Sequence, residues 1–173
     1  MQVVDLCHEL EPRVWSQVSF GHLITRSQAG CALIELHLHN VLPSEDDLIQ
    51  CLQWTSNSLI ELRLSDLKGI TVVMGRALVV LTDRPTTNGT SVCMCPKLEV
   101  LKLGTSLASL DGVLASMVES RWKPSLQLQP WLHWASTQCI ACLQSINPRL
   151  DPSTHLEDIR RLALLREQGL ELC

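Results

Sequence analysis

"CPKLEVLKL", residues 95–103, places leucines at 98, 101 and 103, with a single polar residue between the last two. A strand turns alternate side chains to opposite faces, so Leu101 and Leu103 are expected to point into a core and Lys102 away from it. The same template, leucine at the first, fourth and sixth places, recurs as LIELHL (33–38) and LIELRL (59–64). Strands repeated with such leucines, at irregular intervals, predict a stack of units that share one continuous core.

Helical patterns lie between these strands. Immediately after the third comes SLDGVLASMVESRW, 109–122, in which Leu110, Val113, Leu114, Met117 and Val118 recur at helical spacing and Asp111 stands near the start. Ser116, Glu119 and Ser120 are expected mostly outside. Residues 44–55 open with Ser44 as N-cap and Asp47 three places later, an acidic variant of the capping box. Glu45, Asp46 and Asp47 then occupy the first turn, where the helix dipole favours negative charge. A second helix is expected over 72–82, followed by a loop in DRPTTNGTSVCMCP, where Pro and Asn-Gly interrupt regular structure. A last helix is predicted over 154–168, with Thr154 and Glu157 as a capping pair and Gly169 in the C′ position. LEL, 170–172, reads as a closing short strand. Between 126 and 148 only Leu126–Gln129 alternates.

The fold expected is α/β: an irregular leucine-rich-repeat-like solenoid arc, with strands on the concave face and helices on the convex face. It forms one domain over 1–173, made of a lead-in (12–30), irregular repeats (31–150) and a C-terminal capping helix with a short strand (151–173).

Composition narrows the function classes. Apolar residues are 46% and charged residues 18% of the 173, too apolar for a disordered chain. A formal charge of −4 gives no general attraction to nucleic acid or to an anionic membrane. The most apolar run, 70–81, is interrupted by Arg76 and is shorter than the roughly 20 residues a membrane span needs. Asp5, Glu9 and Glu11 interrupt the place of a signal peptide's apolar core. Eight cysteines without such a signal are expected to be thiols in a cytoplasmic or nuclear, reducing setting.

CPKLEVLKL, DGVLASMVESRW and LEDIRRLALLREQGLEL together resemble the leucine-rich-repeat region of F-box-like proteins of mushroom-forming fungi. PRVWSQVSF and LITRSQAGCALIELHL resemble the stretch that follows the F-box in those chains. The resemblance runs from Pro12 to Leu172 and is weakest over 126–148. It implies a ubiquitin ligase receptor whose repeats select substrates and whose F-box docks on the adaptor of a cullin-type ligase. No F-box is found, because Met1–Arg13 is too short for one. Adaptor binding is therefore expected only if an F-box lies upstream.

Aligning the templates gives the outward-facing ladder. Glu35, Glu61 and Val100 form one row, His37, Arg63 and Lys102 the next, and His39, Ser65 and Gly104 the third. Such rows line the concave face, where repeat proteins commonly bind partners. Their mixed charge suits an acidic or mixed-charge peptide. The competing chemistries are thinner. His37 and His39 share a strand face and could present two imidazoles to a metal, but two histidines alone are insufficient and the sequence fixes no carboxylates beside them. Cys93, Cys95, Cys139 and Cys142 offer four thiols to a structural zinc, or the last two a redox dithiol. Cys93 and Cys95 are separated by only one residue, and Cys139/Cys142 lie in apolar sequence where thiols pack as small hydrophobes. Cys7-His8 are neighbours only in sequence, and neither a nucleophile elbow nor a phosphate-cradling glycine loop occurs. Of the five indoles, Trp15, Trp54, Trp122, Trp131 and Trp134, the last two are expected to seal the last repeat against the final helix rather than form an exposed binding knob, and Trp122 to pack under the turn after its helix. The sequence thus predicts a protein-binding scaffold, not an enzyme, with no cofactor.

Overall fold

The computed structural model describes residues 2–6, 13–14, 16–27, 32–39, 41–65, 71–85, 91–122 and 143–172. In chain order these form β1 (Gln2–Leu6), β2 (Arg13–Val14), α1 (Gln17–Ser27), β3 (Leu33–His39), β4 (Val41–Leu42), α2 (Glu45–Thr55), β5 (Glu61–Ser65) and β6 (Thr71–Val73). They continue with α3 (Gly75–Leu81), β7 (Arg84–Pro85), β8 (Ser91–Val92), β9 (Val100–Ala108), α4 (Val113–Arg121), β10 (Ser145–Arg149), α5 (Leu156–Glu167) and β11 (Glu171–Leu172).

The main sheet runs β1-β3-β5-β9-β10-β11, with β6 beside the far end of β9, and every pairing in it is parallel. Strand order therefore follows chain order. Register puts Leu36, Leu62, Leu101 and Ile146 in one row, flanked by Val4 and Leu172 at the two ends. The four central side chains of this row are fully buried. Leu48, Leu52, Leu78, Leu81, Leu114, Met117, Val118 and Leu162 on the helices belong to the same core. Each helix touches the next in chain order, so helices form one layer against the leucine side of a parallel sheet. Neither layer buries its apolar side alone.

Local chemistry explains several elements. Ser44 accepts from the Asp47 amide and the Asp47 carboxylate accepts from the Ser44 amide, which completes the expected capping box of α2. α1 was not foreseen in the lead-in. It docks through Phe20 and Ile24, with the Phe20 ring 6.1 Å from that of Trp54. Gly21 permits the approach, since a Cβ there would sit 2.9 Å from the Trp54 ring. α5 ends in a Schellman motif: Leu170 donates to Leu165 O and Gly169, at φ +105°, donates to Arg166 O.

Other expectations are corrected. The helix expected over 72–82 begins only at Gly75, because Thr71-Val72-Val73 is β-branched and pairs with Ser106–Ala108. The loop after it contains the antiparallel pair β7–β8. Leu110 precedes α4 and is 80% exposed, so it is no part of that helix's buried face. The last helix starts at Leu156 without a Thr154 cap; its first amides are capped from elsewhere in the fold. β1 has no counterpart among the expected elements, and neither has β10, where Leu143 and Ile146 repeat the first and fourth places of the template. The expected segment Leu126–Gln129, together with Cys7-His8, Trp15, Trp131, Trp134, Cys139 and Cys142, lies outside the described residues.

Candidate functional site

On β3, β5 and β9 the side chains that alternate with the buried leucines fall in the rows expected from the template. Glu35 pairs in register with Glu61 and Glu61 with Val100; His37 pairs with Arg63 and Arg63 with Lys102; His39 pairs with Ser65. Register extends the second row to Asp5 on β1 and Asn147 on β10, neither of which was singled out from sequence. Gly104 lies beside Ser65, where an added Cβ would be 3.4 Å from the serine Cβ.

The ladder is less exposed than a free sheet face would be. Glu61 keeps 13% of its side-chain exposure, His37 18%, Glu35 23%, Lys102 35% and Arg63 40%. Its charges are matched within strands, at Glu35–His37 and Glu61–Arg63, and across strands at Glu61–Lys102. Glu61 Oε1 accepts from Arg63 Nε and lies 3.6 Å from Lys102 Nζ. Burial pushes the Glu61 carboxyl up, but the Arg63 hydrogen bond and the charges of Arg63, Lys102 and His37 outweigh it and hold it below the ordinary value. His37 Nε2 lies 3.5 Å from Glu35 Oε2, while His39 Nδ1 is 3.1 Å from Ser65 Oγ.

Glu35, His37 and Glu61 bring one oxygen, one nitrogen and one oxygen within 4.8 Å of each other. Arg63 and Lys102, both on Glu61, supply the positive charge that a dication would otherwise bring and repel one at that spot. His39, held by Ser65, is not among the three. The trio is accordingly read as a neutralised ion network.

Among the described residues, the thiols of Cys51, Cys93 and Cys95 are not activated. Burial, with Asp47 adding to it, pushes Cys51 up to about 12, and burial pushes Cys95 up to about 12 against the opposing charge of Arg121. Cys93 is raised by burial too, although Arg121 opposes that shift. Cys95 Sγ turns to Leu52 O and Cys93 Sγ to Leu81 O, and a buried guanidinium nitrogen of Arg121 lies 2.8 Å from the Cys93 sulfur. That cation disfavours zinc at Cys93.

A second cluster lies far along the chain. His155 and Asp158, 1% and 0% exposed, meet with Nδ1 and Oδ2 3.1 Å apart. Asp111 stands beside them. This is the carboxylate–imidazole half of a catalytic triad, but the outer nitrogen is engaged by Leu107 O at 3.0 Å, so no nucleophile can use it. Sequence reading missed this cluster because its members come from two loops and a helix.

Among the described residues, grooves open between α2 and α3 and between α1 and α2. One of about 480 Å³ is lined by Gln53, Ser56, Val79, Thr82, Cys93 and Met94, and one of about 360 Å³ by Val18, Gly21, His22, Gln50 and Trp54. No described helix is long and apolar enough to cross a membrane. No family model, curated protein or solved structure matches this chain.

Proposed function

We propose that the chain is a non-enzymatic protein-binding scaffold of leucine-rich-repeat type. Its partner lies along the sheet face built by Glu35, His37, His39, Glu61, Arg63, Ser65 and Lys102. The observation that carries this reading is the register: parallel strands in chain order align these polar residues in rows opposite the buried leucine rows. Neutralised, half-buried charges suit protein recognition, because an ion pair already assembled gives up little side-chain freedom on binding. Among the described residues, the unactivated thiols of Cys51, Cys93 and Cys95 and the sealed His155–Asp158 pair support the non-enzymatic part.

The resemblance to fungal F-box-like proteins carries the biological placement. In that reading the chain is the substrate-recognition part of an F-box-type ubiquitin ligase receptor working inside the cell, and adaptor binding requires an F-box upstream. A stand-alone repeat scaffold without a ligase link is the alternative.

Site-specific photo-crosslinking tests the face. A crosslinker at His37 or Lys102 is expected to capture a protein partner, and one at Arg160 on α5 is not. Equal capture from both places would refute the assignment. Co-purification of the native full-length product with the cullin adaptor tests the ligase placement, and its absence leaves the stand-alone scaffold.

A further inference from the structure

We propose that His155 and Asp158 form a proton-held latch that docks the C-terminal unit, α5 with β11, onto α4. The argument is an inventory of donors and acceptors. Leu107 O can only accept, so the ring nitrogen facing it at 3.0 Å must carry hydrogen. The other ring nitrogen faces Asp158 Oδ2 at 3.1 Å, and Asp158 Oδ1 accepts from the Ala115 amide at 2.7 Å. A neutral imidazole has one N–H. Beside an ionised Asp158, either tautomer leaves one bare lone pair pointing at an oxygen, in a place with almost no solvent. The contacts are all satisfied only when the pair holds one more proton, on the ring or on the carboxyl.

Losing that proton therefore weakens the docking of α5 specifically. The charged groups around the pair act in both directions. Asp111 and Asp151, the carboxylates that interact with His155, favour keeping the proton. Arg161, which interacts with Asp158 as well as with Glu119 and Glu157, favours releasing it. When the unit lets go, the α4 surface at Ala115, Ser116 and Glu119 and the β10 edge that β11 pairs with lose their partners. The latch is thus a pH-sensitive joint between the last unit and the rest of the sheet.

Asp158→Asn separates this from a merely structural contact. The amide oxygen can accept from Ala115 and the amide nitrogen can donate to a bare Nδ1, while Nε2–H still serves Leu107. Every contact is then met by neutral groups. Hydrogen exchange by mass spectrometry on the full chain, corrected for intrinsic rates, reads the result. As pH rises past the point where an undocked histidine loses its proton, protection of 156–172 in the wild type is expected to fall by up to about tenfold per pH unit for as long as the docked pair still holds the proton, and then to level off. Protection of α2 should stay level, and in Asp158→Asn 156–172 should stay level too. The latch is overturned if α5 and α2 follow each other at every pH, or if the variant keeps the wild-type slope. Should the variant not fold, ring nitrogen and carboxyl chemical shifts of the wild type decide. A shared extra proton supports the latch, and a neutral His155 beside an ionised Asp158 at neutral pH overturns it.

Discussion

Asp111 and Asp158 each cap the other's helix. Asp111, just before α4, accepts from the Glu157 and Asp158 amides at 3.0 Å, while Asp158, inside α5, accepts from the Ala115 amide at 2.7 Å. The positions that flank these helices supply no cap of their own: Gly112 has no side chain and His155 makes no capping bond. The same device joins α2 to α3, where Glu45 accepts from the Arg76 and Ala77 amides and Met74 cannot. Helix starts left open by their own sequence are closed by a carboxylate on, or just before, the neighbouring helix, which ties the stability of each helix to that of its neighbour.

Asp111→Ala should therefore lower the urea midpoint and loosen α5 before the rest of the chain. Its carboxyl is held below the ordinary value by the amide hydrogen bonds of Glu157 and Asp158. A depressed folded value means that the contribution is complete above the unfolded value and is lost as pH falls through the folded one. The gap between wild type and variant should be constant near neutral pH and close in acid. A gap that persists unchanged in strong acid would show that the carboxylate's charge is not what caps α5.

Arg121 carries a larger share. Its guanidinium is 1% exposed; Nη1 donates to Leu81 O and Met94 O, and Nη2 to Cys95 O and Leu98 O, at 2.9–3.3 Å. This holds the end of α3 to the turn before β9, where Cys95 takes a left-handed φ of +53°. Arg121→Met removes four charge-assisted hydrogen bonds and leaves Leu81 O and Met94 O with only the Cys93 thiol and Cys95 O with only the Leu98 amide, so a total loss of about 3 kcal/mol is expected. Arg121→Lys, with three donors for four carbonyls, should fall between. Urea melts in which both variants stay within experimental error of wild type would rule out this anchoring role.

What the sequence discloses follows from how local each cause is. The leucine template and the Ser44/Asp47 box act within a few residues, so the three central strands, their facing and α2 were legible. The rows Glu35/Glu61 and His37/Arg63/Lys102 were legible for the same reason, since a shared template fixes register. β10 was hidden because Ile146 and Pro148 replace two of the three leucines. Caps supplied across some 43 residues, as from Asp158 to Ala115, leave no local mark, so the start of α5 was misplaced. Nothing in the residues around Arg121 predicts that its charge ends up inside the core.

Thiol labelling should follow burial. Cys51 and Cys95 are fully buried and pushed up to about 12, so at mildly alkaline pH few of their sulfurs are ionised. Cys93, half-buried at the edge of the larger groove, is expected to react first among these three. Mass mapping after brief alkylation of the native chain reads this directly. Early modification of Cys51 or Cys95 would contradict the packing of α2 against the 95–98 turn.

Adjacent residues on β9 give the strongest test of which way the sheet faces. Leu101 is fully buried, and Leu101→Asp places an unpaired charge among leucines, at a cost expected to exceed about 4 kcal/mol and to unfold the chain. Lys102 keeps 35% of its side-chain exposure and lies 3.6 Å from Glu61, which Arg63 also holds. Lys102→Glu removes one attraction and adds one repulsion in partly hydrated surroundings, so a loss of only about 1 kcal/mol is expected. Because that loss runs through the Glu61 charge, Glu61→Gln introduced together with Lys102→Glu should cost less than the two single changes added. Circular dichroism melts of the four variants check all of this. Equal damage from Leu101→Asp and Lys102→Glu would reverse the facing of the sheet, and with it the surface on which a partner is proposed to bind.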